Sequence, residues 1–140
     1  MASGHDIAMA LRAAYWTMHR STEASFTSRT ATADQFVLLS LLAEQDGITQ
    51  QELVRRASSD ANTIRAMLVL LEKRGLVTRE RHPTDRRARR VALTRKGRQT
   101  YERLWAQSEP VRARLLTACG ARDAEMLVKS LVRIVHECEI

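Results

Sequence analysis

At 140 residues the chain has room for one domain with a real core and little room for an elaborate active site; 44% hydrophobic and 28% charged residues give a globular rather than a disordered balance. A formal net charge of +7 favours a polyanionic partner, either nucleic acid or an acidic membrane surface. No window approaches the roughly 20 apolar residues of a membrane span; the N-terminus lacks a signal peptide's basic start and apolar run, and Cys119 and Cys138 are too few for a disulfide framework or a zinc cluster, so a cytoplasmic protein with reduced cysteines is expected.

From Ile7, apolar residues at Ile7, Leu11, Ala14, Tyr15 and Met18 keep the spacing of one helix face, with Trp16 and His19 off that stripe. A polar run over residues 21–32 breaks the pattern and ends in Thr32-Ala33-Asp34-Gln35, where Thr32 and Gln35 have capping-box spacing. The helix it opens passes through Phe36, Leu39, Leu42 and Ala43 and stops at Asp46-Gly47. Thr49-Gln50-Gln51-Glu52 is a second capping box, opening a short helix that buries Leu53, Val54 and Ala57. Ser58, Ser59 and Asp60 then offer caps for a third, and two helices this close together form a helix-turn-helix.

The third helix carries Ile64, Met67, Leu68 and Leu71 on its buried stripe and ends at Gly75. Rotation by about 100° per residue puts Asn62, Ala66, Val69 and Lys73 opposite, with Arg65 beside them. A major groove would meet this face: Asn can bond adenine twice, Arg can bond guanine, and Ala or Val can touch a thymine methyl. Val69 is expected instead to pack on a neighbour, since base contacts come from the N-terminal part of such a helix.

Residues 77–97 read as two short strands with a cationic tip, carrying six arginines from Arg79 to Arg90. Pro83 suits the second position of a turn opened by His82 and closed by Asp85. Arg89, Val91 and Leu93 share one face of the second strand; Arg90, Ala92 and Thr94 share the other. Thr94 is placed to cap a long helix, with Gly97 where a capping box would have Glu. Small or apolar residues then recur at Gly97, Tyr101, Leu104, Ser108, Val111, Leu115 and Ala118, and Pro110 is expected to bend this helix. A last helix from about Ala121 aligns Leu127, Leu131, Ile134, Val135 and Cys138. Together with the first helix, these segments hold more apolar surface than a small helix-turn-helix needs, which predicts pairing between subunits.

In order and in residues the chain resembles the MarR family of winged-helix transcription regulators over nearly its whole length. The most specific match is the family pattern DxRxxxVxLTxxG, met by Asp85, Arg87, Val91, Leu93, Thr94 and Gly97; Leu71-Glu72-Lys73-Arg74-Gly75-Leu76-Val77 also looks like the end of the family's recognition helix. The resemblance implies a mainly α fold with a small β-hairpin, a single domain over residues 1–140. Its winged helix-turn-helix lobe would span residues 33–94 and its dimerisation helices residues 5–20 and 95–139. It further implies a homodimer on double-stranded DNA with a pseudo-palindromic operator, half-sites about one helical turn apart.

By the same resemblance the recognition helix enters the major groove, and Arg87, positioned by Asp85, enters the minor groove, which suits a persistently charged guanidinium. The DNA-contact set is Gln50, Gln51, Asn62, Thr63, Arg65, Asp85, Arg86, Arg87 and Arg89, and Arg79, Arg81, Arg86, Arg89 and Arg90 read as phosphate contacts. The chain departs from the family at Arg65-Ala66, where many members carry Thr-Arg, and at Val69-Leu70, where many carry Asp-Arg. The family also implies a small aromatic or phenolic effector, with Trp16, His19, Phe36, Tyr101 and Trp105 as the lining, and an aromatic carboxylate is expected to lower DNA affinity. No cofactor, metal or enzymatic activity is expected: phosphate loop, nucleophile elbow and paired catalytic carboxylates are missing, and His5, His19, His82 and His136 are scattered. The alternatives are a redox-responsive regulator using Cys119 or Cys138, and a basic helical interaction module without sequence-specific DNA binding.

Overall fold

The computed structural model describes residues 1–27, 31–81, 83–85 and 88–140. In chain order these form α1 (Gly4–Ser25), α2 (Ala33–Glu44), β1 (Ile48–Thr49), α3 (Gln50–Arg56), α4 (Ala61–Lys73), β2 (Val77–Arg81), β3 (Arg89–Leu93), α5 (Arg95–Gln107), α6 (Glu109–Cys119) and α7 (Ala121–Cys138). The fold is thus mainly helical with one small antiparallel sheet, as expected.

Local chemistry sets most of the boundaries. At α2 the Thr32 hydroxyl accepts from the Gln35 amide at 3.1 Å and the Gln35 side chain accepts from the Thr32 amide at 3.2 Å, a complete capping box. The box expected at α3 is only half made: Thr49 Oγ1 accepts from the Glu52 amide at 3.1 Å, but the Glu52 carboxylate is taken by Arg55 and Arg56. Asp60 caps α4. That helix ends in a Schellman motif, with the Gly75 amide donating to the Glu72 carbonyl and the Leu76 amide to that of Leu71, both at 2.9 Å, and Gly75 at φ +72°.

Two boundaries differ from expectation. The first helix runs on to Ser25 through what reads as a polar break, because Thr22 and Ser25 fold their hydroxyls back onto the carbonyls of Met18 and Thr22 and so stay helical. The single bent helix expected after the hairpin is two helices, and the break falls at Ser108 (φ −89°, ψ 0°), with Pro110 in the first turn of α6, where its missing N–H costs nothing.

The sheet has the order β1-β3-β2, with Ile48 opposite Val91 and Arg79 opposite Val91 on the other edge. Strand β1, two residues long, carries no periodicity for a sequence reading to find. Leu38, Leu39 and Leu42 of α2, Leu53 of α3, Ile64, Leu68 and Leu71 of α4, Val91 of β3 and Leu104 of α5 form the core. Helix α5 is pulled tightly onto the hairpin: the Thr94 amide donates to the Leu76 carbonyl at 3.0 Å, and a Cβ at Gly97 would lie 1.9 Å from that same oxygen. Helices α1 and α7 bury no residue in the single chain, and Met9, Leu116, Met126, Val128, Val132 and Val135 stand exposed.

Candidate nucleic-acid interface

The outer face of α4 presents Ala61, Asn62, Thr63, Arg65 and Ala66 to solvent, while Val69 is half-buried in keeping with a packing role. Thr63 is partly committed, its amide donating to Asp60 Oδ1 at 2.9 Å and its hydroxyl to Oδ2 at 2.8 Å. These bonds, the amide one foremost, hold the Asp60 carboxyl below its ordinary range. The Asn62 amide and the Arg65 guanidinium make no side-chain hydrogen bond among the described residues, so in the N-terminal half of α4 these two are free to read a base edge, with Lys73 exposed at its far end.

On the hairpin the arginines divide by partner. Arg79 is bound to Glu72 of α4 (Nη2–Oε1 3.0 Å), and this bond lowers the Glu72 pKa. Arg90 is half-buried and donates from Nε to the Gly47 carbonyl at 2.9 Å. Both were expected as phosphate contacts; within the single chain each fastens the hairpin to the body. Arg81 and Arg89 face each other across the strand pair and are exposed, an arrangement of like charges that costs stability unless an anion lies beside it. Arg86, Arg87 and His82 lie outside the described residues, so the expected minor-groove arginine and the turn opened by His82 have no structural account.

Gln50, Gln51, Asp85 and Arg89 do come together, lining a cleft of about 470 Å³ between the start of α3, Ala61 of α4 and the root of the wing. The Asp85 carbonyl accepts from the Ala88 amide at 3.1 Å. Gln50 Oε1 is buried in this wall without a hydrogen-bond partner among the described residues, while Gln51 is exposed. On the next turn of α3, Glu52 lies between Arg55 and Arg56, whose hydrogen bonds hold its carboxyl down to about 2.

A separate cavity of about 200 Å³ lies between α1, α2 and the α5–α6 break, lined by Tyr15, Met18, His19, Phe36, Trp105 and Arg112 among others. Of the expected lining it gathers His19, Phe36 and Trp105. Tyr101 stacks on Phe36 (centroids 6.0 Å, planes 16°) without reaching the cavity, and Trp16 faces a shallow groove with Arg12 and Arg20. His19 Nε2 is 3.7 Å from Glu23 and Nδ1 4.0 Å from Asp34.

Arg112 was missed by sequence reading. Its guanidinium lies 3.5 Å over the Trp105 ring and donates to the Trp105 carbonyl at 2.7 Å, which Ser108 Oγ also approaches at 3.2 Å, and to Ser108 Oγ at 2.8 Å, so it helps to satisfy a carbonyl at the helix break. The spacing of Trp105, Ser108 and Arg112, three and four apart, was the available signal. No group of three or more His, Cys, Asp or Glu side chains that could hold a metal occurs among the described residues.

A helix-turn-helix whose second helix is exposed along its outer face, followed by a two-stranded hairpin, defines the winged helix-turn-helix class. The family model described as the MarR family matches residues 31–88. The transcriptional regulator HosA of Escherichia coli O157:H7 is 33% identical over 105 residues, covering 75% of this chain and 78% of that protein. The chain belongs to the MarR family. Two other curated relatives are matched over only 59% and 56% of their own lengths. Among solved structures, the transcriptional repressor CouR bound to a 23-mer DNA duplex superposes with a TM-score of 0.78 at 30% identity, over 90% of this chain and 89% of that one. BpsR of Bordetella bronchiseptica, whose DNA binding is regulated by 6-hydroxynicotinic acid, superposes at 0.81 with 25% identity, over 91% and 97%.

Proposed function

We propose that the chain is a sequence-specific DNA-binding transcription regulator and not an enzyme, acting in the cytoplasm as a homodimer on a pseudo-palindromic operator. The observation that carries this reading is a helix-turn-helix and wing with exposed polar and cationic groups: Asn62 and Arg65 on α4, which make no side-chain hydrogen bond among the described residues, and the opposed, exposed Arg81 and Arg89 on the wing. The likeness to CouR, solved on a DNA duplex, supports it. No helix among the described residues is long and apolar enough to cross a membrane. Fragments of the source genome selected for binding, then titrated at several salt concentrations, should share an inverted repeat; steep salt dependence with no preferred sequence would support the basic-module alternative.

The cavity beside Trp105 is the effector site in this reading, and a small aromatic carboxylate is its ligand. Apolar rings offer stacking surface for an aromatic body, and Arg112 offers a charge already held in place for the carboxylate. The likeness to BpsR, regulated by 6-hydroxynicotinic acid, supports the ligand class. Benzoate and 6-hydroxynicotinate should raise the melting temperature and weaken operator binding, and Arg112→Met should abolish both responses. If neither compound changes melting or DNA affinity, the effector assignment fails.

A further inference from the structure

Within the DNA-regulator reading, on which this inference rests, the sequence preference of α4 follows from which of its exposed groups can form hydrogen bonds. Asn62 can bond both the N6 and N7 positions of adenine, and Arg65 can bond guanine. Between them and the half-buried Val69 the face presents Ala66, an exposed methyl group with no donor or acceptor. Thr63 lies off this line with its hydroxyl proton given to Asp60, and Ala61 faces the cleft beneath the wing.

An alanine methyl pressed into the major groove excludes water from whatever base edge it meets. Guanine, adenine or cytosine would there lose hydration from a polar edge and gain no bond in return, which is unfavourable. Thymine presents a methyl group at the same depth and gains by burying it. We propose that α4 reads a thymine in each half-site through its C5 methyl group, at Ala66, near an adenine read by Asn62. The two residues are four apart, about 6 Å along the helix axis. With base pairs about 3.4 Å apart, a helix lying along the groove places the two contacts about two steps from each other.

The test uses the full chain and its selected operator. Each thymine is replaced in turn by deoxyuridine, which keeps every hydrogen-bonding group and lacks only the methyl, and affinity is read by fluorescence anisotropy. One thymine per half-site should lose affinity roughly three- to fivefold on replacement. In Ala66→Ser, which keeps the helix and the side-chain size, that ratio should fall to near one, with preferences at the other positions unchanged. Selective binding with no thymine sensitive to the replacement would overturn the proposal. So would a sensitivity that persists undiminished in Ala66→Ser. A protein with no sequence preference at all would remove the DNA-regulator reading as well, and is recognised by binding every duplex alike.

Discussion

Gly97 is required by space, not by backbone conformation. Any Cβ there would sit 1.9 Å from the Leu76 carbonyl oxygen, and that oxygen is itself held by the Thr94 amide at 3.0 Å. Neither partner can yield cheaply, because Leu76 is fixed by the α4 cap and Thr94 by its own cap bond to the Gly97 amide at 2.9 Å. Gly97→Ala should therefore lower stability by roughly 2–4 kcal/mol, read as a shift in the urea midpoint with an unchanged slope. Thr94→Ala, which loses the cap bond to the Gly97 amide and the hydroxyl's bond to the Gly75 carbonyl at 2.6 Å but creates no clash, should lower it by about 1–2 kcal/mol. At this scale the sequence is informative where the deciding partner is near in the chain. Thr32 and Gln35 lie three residues apart, and their capping box was legible; Asp60 was one of three cap candidates, and its bonds to Thr63 come from the structure alone. The partners of Arg79 and Arg90 were not legible, because Glu72 and Gly47 reach them only through the tertiary fold. Arg112 was overlooked although its spacing from Ser108 and Trp105, four and seven residues, puts all three on one helix face.

The short helices of the DNA-binding lobe are held by ion pairs whose titration sets an acid limit. Glu52 on α3 is held at about 2 by Arg55 and Arg56, Asp60 is lowered by its bond to the Thr63 amide, and Glu72 is lowered by Arg79. A carboxyl with a folded-state pKa below its unfolded value binds its proton less readily when folded, so its contribution is complete above the unfolded value and is lost as pH falls through the folded one. For Glu52 the interval runs from 4.5 down to about 2. Melting temperature should accordingly be insensitive to these groups between pH 5 and 8 and decline below about 4.5, and Glu52→Gln should flatten part of that decline. High salt should shrink the Glu52 part, since its pairs are largely open to solvent. The order of the helices was legible from apolar spacing and caps, but the break at Ser108 that separates α5 from α6 was not, and neither was β1, because a strand of two residues is defined by its pairing with β3 and not by any pattern of its own.

At the scale of the whole molecule, the apolar residues divide into two populations. One closes the core of the DNA-binding lobe; the other, on α1, α6 and α7, is left open in the single chain, with Met126 63%, Val128 60% and Leu116 53% exposed. This division was legible in the sequence, where the terminal helices carry more apolar surface than a small helix-turn-helix can cover. Burying that surface needs a second copy, and a stable dimer interface covers about 800 Å² per partner, within reach of helices of 18 and 22 residues. Val128→Asp combined with Val132→Asp puts two charges into this surface without touching the core, so the lobe should keep its fold and its helical circular dichroism. Sedimentation should then report a monomer. Operator affinity should collapse, because the two half-sites of an inverted repeat are no longer bound as one unit. The dependence of log K on log salt should fall to about half its original slope, since one subunit neutralises half the phosphates. A variant that remains a dimer would sink the assignment of this face to self-association. A monomer with unchanged affinity and slope would show instead that one subunit carries the whole interaction, and the two-fold operator would have to be abandoned.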